Sequence, residues 1–264
     1  SSLGIPLKNV TVKFGKPYEQ ICLLAENKCA DLIILDTNAH ANYFREQYRI
    51  KKNKIGSVFV GVEPEFFYKK KVIPNVDVKI NNVLFYGQFI PLHGIETIVE
   101  AAKILEHENI QFTLIGTGQK AEYIDNKIKN LKLRNIKRIQ WVNYDNLIGS
   151  IFESDICLGI FGASNKASRV IPNKVFQILA AGKPLITMDS PAIRELIPEA
   201  LPNISLIPPA DPEELSLAIM AMVENKENLY DNQILLDKFT PQAIGKDVLS
   251  YINSPKYNLN YLIK

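Results

Sequence analysis

Cysteine is scarce in this sequence, and so are histidine and tryptophan: 264 residues hold three Cys, three His and one Trp. An odd set of cysteines, Cys22, Cys29 and Cys157, excludes a complete internal disulfide framework and fits reduced thiols in a cytoplasmic protein. Cys22 and Cys29 fall on one face of a predicted helix and read as small buried residues. No His, Cys or acidic residues stand at metal-ligand spacing, so no metal is expected. No apolar run reaches the roughly 18 residues of a membrane-spanning helix. Internal repeats and low-complexity tracts are missing. So is a strong charge of either sign: 31 basic residues face 28 acidic ones, a net charge of +3. That speaks against a dedicated nucleic-acid binder, and it leaves room for one anion site or for contact with an anionic membrane. The sequence opens Ser1-Ser2 without an initiator Met and reads as a piece of a longer protein, with a processed N-terminus as the alternative.

What is present is an alternation of two periods. Short β-rich runs at 82–86, 110–115, 136–141, 155–160, 184–188 and 204–207 predict six strands. Amphipathic runs at 94–106, 119–131, 144–152, 174–181, 192–196 and 212–224 predict helices between them. Near-continuous apolar strands alternating with helices imply an α/β fold, a doubly wound, Rossmann-like parallel sheet covered on both faces. Ligands on such sheets bind beyond the carboxyl ends of the strands. That rule directs attention to the loops near Gly87, Gly116, Val142, Phe161 and Met188.

Residues before 61 repeat the alternation on a smaller scale, with a helix predicted at 18–27, a strand at 31–36, a helix at 42–49 and a strand at 57–61. So few strands cannot stand alone, so residues 1–70 read as the end of a partial second α/β domain. A linker is predicted at 62–80, where Pro64, Pro74 and the run Lys69-Lys70-Lys71 occur. The lysines are either a solvated connector or a contact for membrane phospholipid. Residues 71–240 make the large domain. The tail, 241–264, is expected to hold one helix near 242–251.

Three segments could carry chemistry. Tyr86-Gly87-Gln88-Phe89-Ile90-Pro91-Leu92-His93-Gly94 follows the first large-domain strand and precedes a helix, whose start is suited to a phosphate. Leu114-Ile115-Gly116-Thr117-Gly118-Gln119 repeats strand, Gly-x-Gly, helix; close packing explains it as well as a ligand does. The third runs from Ile171 through Pro172, Asn173, Lys174, Val175, Phe176 and Gln177 to Gly182-Lys183-Pro184. Asn173 is the expected N-cap and Gly182 the stop. The free amides of that helix start and Lys174 form an anion site, and Gln177 stands on the same face.

Together with Ser154-Asp155-Ile156-Cys157-Leu158-Gly159, these segments resemble the family 4 retaining glycosyltransferases of the two-domain GT-B fold. The likeness covers most of residues 30–225, with residues 71–240 as the donor nucleotide-sugar-binding C-terminal domain and the first residues as the end of the acceptor-side domain. In that family the turn after the first donor-domain strand carries Arg after Gly and Lys before the second Gly, both on the donor diphosphate; this sequence has Gln88 and His93 there. The family's Glu-x7-Glu pair, for the donor sugar and the ribose, falls on Arg169 and Gln177. The resemblance therefore implies donor contacts at Gly87, Gln88, His93, Gly94, Gly116, Gly118, Trp141, Val142, Lys166, Arg169, Asn173, Lys174, Val175 and Gln177. His93 and Lys174 would steady the leaving diphosphate, and Arg169 and Lys174 would replace the missing basic pair. Trp141 stacks on the base or fills core. His40 and His107 are set aside, the one as unmatched to the family's catalytic His, the other as a solvated helix end.

The implied activity is transfer of a sugar from a nucleoside diphosphate sugar to an acceptor hydroxyl with retention. It belongs to glycan, lipid-linked saccharide or cell-surface polysaccharide synthesis, without cofactor or metal. Partners would be the nucleotide-sugar and a saccharide or lipid-linked acceptor, not nucleic acid, at the cytoplasmic side or inner face of a membrane. The departures at Gln88, Arg169 and Gln177 motivate the alternative of a non-catalytic nucleotide-sugar-binding or scaffold module. A GT-B-fold epimerase would need cleft carboxylates that no motif supplies.

Overall fold

A computed structural model of the chain describes residues 32–68, 81–201, 203–224 and 233–254. The predicted helix at 18–27, Cys22, Cys29 and the lysine run at 69–71 lie outside them. The described residues divide into two compact units, those within 60–240 and those before 60 together with those after 240.

The larger unit is built on six strands: β3 (Asn81–Tyr86), β4 (Ile110–Ile115), β5 (Ile136–Ile139), β6 (Ile156–Leu158), β7 (Leu185–Met188) and β8 (Ile204–Ile207). All neighbours pair in parallel, in the order β5-β4-β3-β6-β7-β8. The sheet therefore grows outward from β3 in one direction and from β6 in the other. The reversal falls between these two strands, and it is at the carboxyl ends of such a switch point that open α/β sheets take their ligands.

Helices α3 (Ile95–Ile104), α4 (Ala121–Asn130), α5 (Tyr144–Glu153), α6 (Asn173–Ala180), α7 (Pro191–Leu196) and α8 (Pro212–Glu224) follow the strands in turn. The alternation of strand side chains explains why β3 is apolar on both faces from Val83 to Tyr86. Val83 and Phe85 join a core with Ile95, Ile98 and Ala102 of α3 and Leu215 and Ile219 of α8. Leu84 and Tyr86 face the other way and are also buried, with the Tyr86 hydroxyl on α6. Both faces are covered, as near-continuous apolar strands require.

The stretch before β3 departs from the linker expected at 62–80. Its first part packs into the larger unit: Val62 is buried, and Phe66, on α2 (Glu65–Tyr68), is fully enclosed. The Val62 amide donates to Phe239 O at 3.3 Å, just past α9 (Gln233–Leu236). Two apolar anchors set four residues apart hold this segment down in spite of Pro64.

In the smaller unit, β1 (Ile33–Leu35) pairs in parallel with β2 (Ile55–Ser57), and α1 (Asn38–Gln47) connects them, capped by Thr37. Helix α10 (Pro241–Asn253) belongs to the same unit, and its Tyr251 hydroxyl donates to Ser57 O at 3.0 Å. The helix that the sequence set in the tail is thus part of this unit's fold, and residues 255–264 lie outside the described ones.

Candidate functional site

Where β3 ends, the chain turns at Gly87 with φ 135°, a conformation that side chains with a β-carbon rarely adopt. A β-carbon there would stand 3.0 Å from Lys174 Nζ and 3.4 Å from His93 Cε1. Gly87, His93 and Lys174, three of the residues singled out in sequence, therefore meet at one point. That point lies at the carboxyl ends of β3 and β6, since Lys174 Nζ also approaches Gly159 O, just past β6, at 3.5 Å.

Lys174 is 5% exposed. Its ammonium lies 3.7 Å from the centre of the Phe85 ring, and among the described residues no carboxylate is within ion-pair distance. Burial alone holds its pKa well below the ordinary lysine value. The sequence pictured a charged lysine at an open helix start. The structure turns the side chain inward, where the proton is weakly held. A ring face and one distant carbonyl compensate little of the cost of a buried charge.

His93 is buried beside it. Its Nδ1 meets the Gln88 carbonyl, which can only accept, so Nδ1 carries the hydrogen and Nε2 is bare in the neutral ring. Burial, then the nearby Lys174 charge, lower its pKa to about 4 against the carbonyl's opposing pull. His93 is thus neutral at pH 7. The positive charge there comes from Lys174 on α6, not from the turn.

Helix α6 begins differently from expectation. Pro172, extended at φ −69° and ψ 147°, is the N-cap; Asn173 is the first helical residue, exposed, and no side chain caps the start. Proline fixes the φ needed there and carries no N–H. The stop agrees: Gly182, at φ 66°, donates to Leu179 O and Lys183 donates to Ile178 O, the pair of bonds of a Schellman ending.

Polar groups line the next turn of α6. The buried Tyr86 hydroxyl donates toward Lys174 O at 3.2 Å and Gln177 Oε1 at 3.1 Å, and burial raises its pKa well above 10. Gln177 Nε2 points to Glu63 Oε2 at 3.5 Å. Partial burial and a hydrogen bond with Glu63 push Tyr144 up to about 12. Sequence reasoning missed Glu63 and Tyr144. Glu63 sits in a segment read as linker, and only the burial of Val62 and Phe66 beside it brings it here.

The other predicted residues divide. The space beside Gly116 and Gly118 is filled by the first turn: a β-carbon at Gly116 would lie 1.9 Å from Gly87 O, and one at Gly118 would lie 2.8 Å from Phe89 N. Turn-to-turn packing accounts for both glycines. Gly94 starts α3 and leaves no room for a β-carbon, which would meet Phe161 C at 2.5 Å. Trp141 is 77% exposed just beyond β5, so it does not fill core; Val142 after it is half-buried. Gln88 and Lys166 are exposed, Arg169 ends a short 3-10 turn and is half-buried, and Val175 is buried. His107 is exposed. His40, in the smaller unit, bonds Asp36 Oδ1 through Nδ1 at 2.6 Å. Among the described residues, no three His, Cys, Asp or Glu gather as metal ligands, and no helix is long and apolar enough to cross a membrane.

A six-stranded parallel sheet reversing between β3 and β6, with two interlocked turns and a buried lysine at the reversal, defines a Rossmann-like α/β domain of the GT-B type. The chain belongs to the group 1 glycosyl transferases, whose family model matches residues 66–238. It is similar to the putative colanic acid biosynthesis glycosyl transferase WcaI of Escherichia coli, 27% identical over 166 residues, 62% of this chain and 40% of that protein. Chitobiosyldiphosphodolichol beta-mannosyltransferase of Candida albicans is 24% identical over 210 residues, 72% of this chain and 44% of that protein. The chain thus spans less than half the length of these curated relatives. Among solved structures, HepE of Anabaena in complex with UDP-glucose shares the fold with a TM-score of 0.74 at 16% identity, covering 90% of this chain and 68% of that one.

Proposed function

We propose that this chain is the donor-side part of a glycosyltransferase that moves a sugar from a nucleoside diphosphate sugar to an acceptor hydroxyl with retention. The observation that carries the reading is Lys174: a buried lysine without a carboxylate, aimed at a glycine turn in the crevice where an open α/β sheet takes its ligand. A diphosphate supplies the missing counter-charge. In that low-dielectric setting its pull on the ammonium is far stronger than in water. As the bond to the sugar breaks, charge builds on the departing phosphate, and Lys174 stands ready to hold it without reorganising. An anion arriving beside His93 also raises the affinity of Nε2 for a proton, which would turn it from acceptor to donor. That a relative is named for colanic acid biosynthesis and a fold neighbour holds UDP-glucose supports a nucleotide-sugar donor and a saccharide product. The pathway read from sequence, cytoplasmic glycan, lipid-linked saccharide or polysaccharide synthesis at a membrane face without a metal, is part of this proposal.

Calorimetry with UDP-, GDP- and ADP-sugars tests it. At least one binds, and Lys174→Ala weakens it by about 1.5–3 kcal/mol, the range for a hydrogen bond to a charged group. No binding by any of them sinks the reading. Arg169 and Gln177, where the family resemblance implies acids, favour a second reading, a non-catalytic binding module. Sugar transfer by the full-length protein would exclude it, and the anomeric configuration of the product decides retention.

A further inference from the structure

Lys174 reaches the Gly87 turn by an indirect route. Side chains alternate along β3, so Phe85 and Tyr86 lie on opposite faces of the sheet. The backbone of Lys174 is on the Tyr86 side, where the Tyr86 hydroxyl donates to Lys174 O at 3.2 Å. Its ammonium is on the Phe85 side, 3.7 Å from the centre of that ring and 5.8 Å from that of Tyr86. The lysine stem therefore passes over the end of β3, through the space that Gly87 leaves open: a β-carbon there would stand 3.3 Å from Lys174 Cε. A four-carbon stem has a limited reach, so the ammonium meets the turn only if the backbone of α6 stands at the right height beside the strand. Local order at the start of α6 does not set that height. No side chain caps it, and Asn173 is exposed. The bond that does comes from β3. Tyr86, 5% exposed, shares its hydroxyl hydrogen between Lys174 O at 3.2 Å and Gln177 Oε1 at 3.1 Å. A carbonyl oxygen has two lone pairs, so Lys174 O can take this bond and keep its place in the helix ladder.

We propose that Tyr86 is a positioning residue: its hydroxyl sets the height of α6 beside β3, so that the Lys174 ammonium meets the donor's diphosphate at the Gly87 turn. This rests on the donor reading above and adds to it the residue that holds the lysine in place. Tyr86 acts through Lys174 and not on the reacting atoms. A phenylalanine would fill the same space, so packing alone does not call for the hydroxyl, and a buried hydroxyl is costly unless it is bonded. The bonds it makes both end on α6, one of them on the lysine itself. A charged hydrogen bond has its full strength near about 2.7–2.9 Å, so a displacement of the helix by a fraction of an ångström reaches the phosphate as lost affinity.

The test is a double-mutant cycle on the whole chain, with Tyr86→Phe, Lys174→Met and the two combined, and with UDP and GDP as ligands. Melting curves set a temperature at which all four proteins are folded, and NMR titration reads the weaker affinities. For the nucleotide that binds, Tyr86→Phe should weaken affinity about three- to tenfold, the worth of one hydrogen bond. In the Lys174→Met background the same change should cost nothing further, because the charge it positions is gone. A tyrosine that only supports the fold would lower the melting temperature and leave affinity unchanged, or weaken binding equally in both backgrounds. Either result would overturn the role of Tyr86 while the donor reading stands. If neither UDP nor GDP binds the wild type, both fall together.

Discussion

Lys174 illustrates how a residue chosen for binding burdens the fold that holds it. Its ammonium is buried without a counter-charge, and the unfolded chain holds that proton more tightly than the folded one. By linkage its contribution to stability rises with pH toward the ordinary lysine pKa and is unfavourable below it. Lys174→Met keeps the stem and removes the charge. It should raise the melting temperature of the unliganded protein at pH 7 by about 2 °C or more, the effect of roughly 1 kcal/mol on a domain this size, while nucleotide affinity is lost. Differential scanning calorimetry reads the first and titration the second. A lower melting temperature would mean that the lysine is satisfied in a way the structure does not contain.

His93 gives the companion pH effect. Its folded pKa of about 4 lies below the ordinary 6.5, so the unfolded chain takes up a proton first as the solution is acidified. The stability tied to the neutral ring is complete above pH 6.5 and is lost as pH falls toward 4, by at most about 3 kcal/mol for a shift of this size. His93→Asn keeps a donor for the Gln88 carbonyl and cannot titrate. Denaturant melts at pH 7 and pH 4.5 should therefore show a smaller loss of stability for the variant than for the wild type. Equal losses would mean that the ring is protonated without penalty.

At the scale of elements, the two glycine turns act as one unit. The β3 turn continues the ladder into the β4 turn, with the Gly87 amide on Ile115 O and the Phe89 amide on Thr117 O, both at 2.9 Å. Arg138 on β5 braces them, donating to Leu114 O and Gly116 O while its guanidinium covers the Phe89 ring at 4.3 Å. Gly116→Ala would drive a β-carbon into the Gly87 carbonyl and should cost about 3 kcal/mol or more in unfolding free energy, with nucleotide binding weakened through the displaced Gly87 turn. A variant of wild-type stability would show that the turns do not interlock. The strands were legible because both faces of the sheet are covered: 110–115 and 204–207 match β4 and β8 end for end. The start of α6 was less so. Asn173 has the chemistry of a cap, but Pro172 before it already has the extended backbone of the N-cap position.

At the scale of the molecule, fold class and family were readable from the order of short motifs. The environment of each site residue was not, because it depends on which strand ends meet. Sequence spacing places Lys174 one turn from Gln177 but does not show that the ammonium folds back over Phe85 to the end of β3. Nor does it show that Glu63, more than a hundred residues earlier, stands beside Gln177. The account rests on Lys174 meeting a diphosphate at the β3–β6 crevice. A crystal structure with the tightest-binding nucleoside diphosphate tests this most directly. The prediction is a phosphate oxygen within about 3 Å of Lys174 Nζ, the usual length of a charged hydrogen bond, with the phosphates against the Gly87 turn and the start of α6. A nucleotide bound elsewhere, with Lys174 still lying on the Phe85 ring, would contradict it.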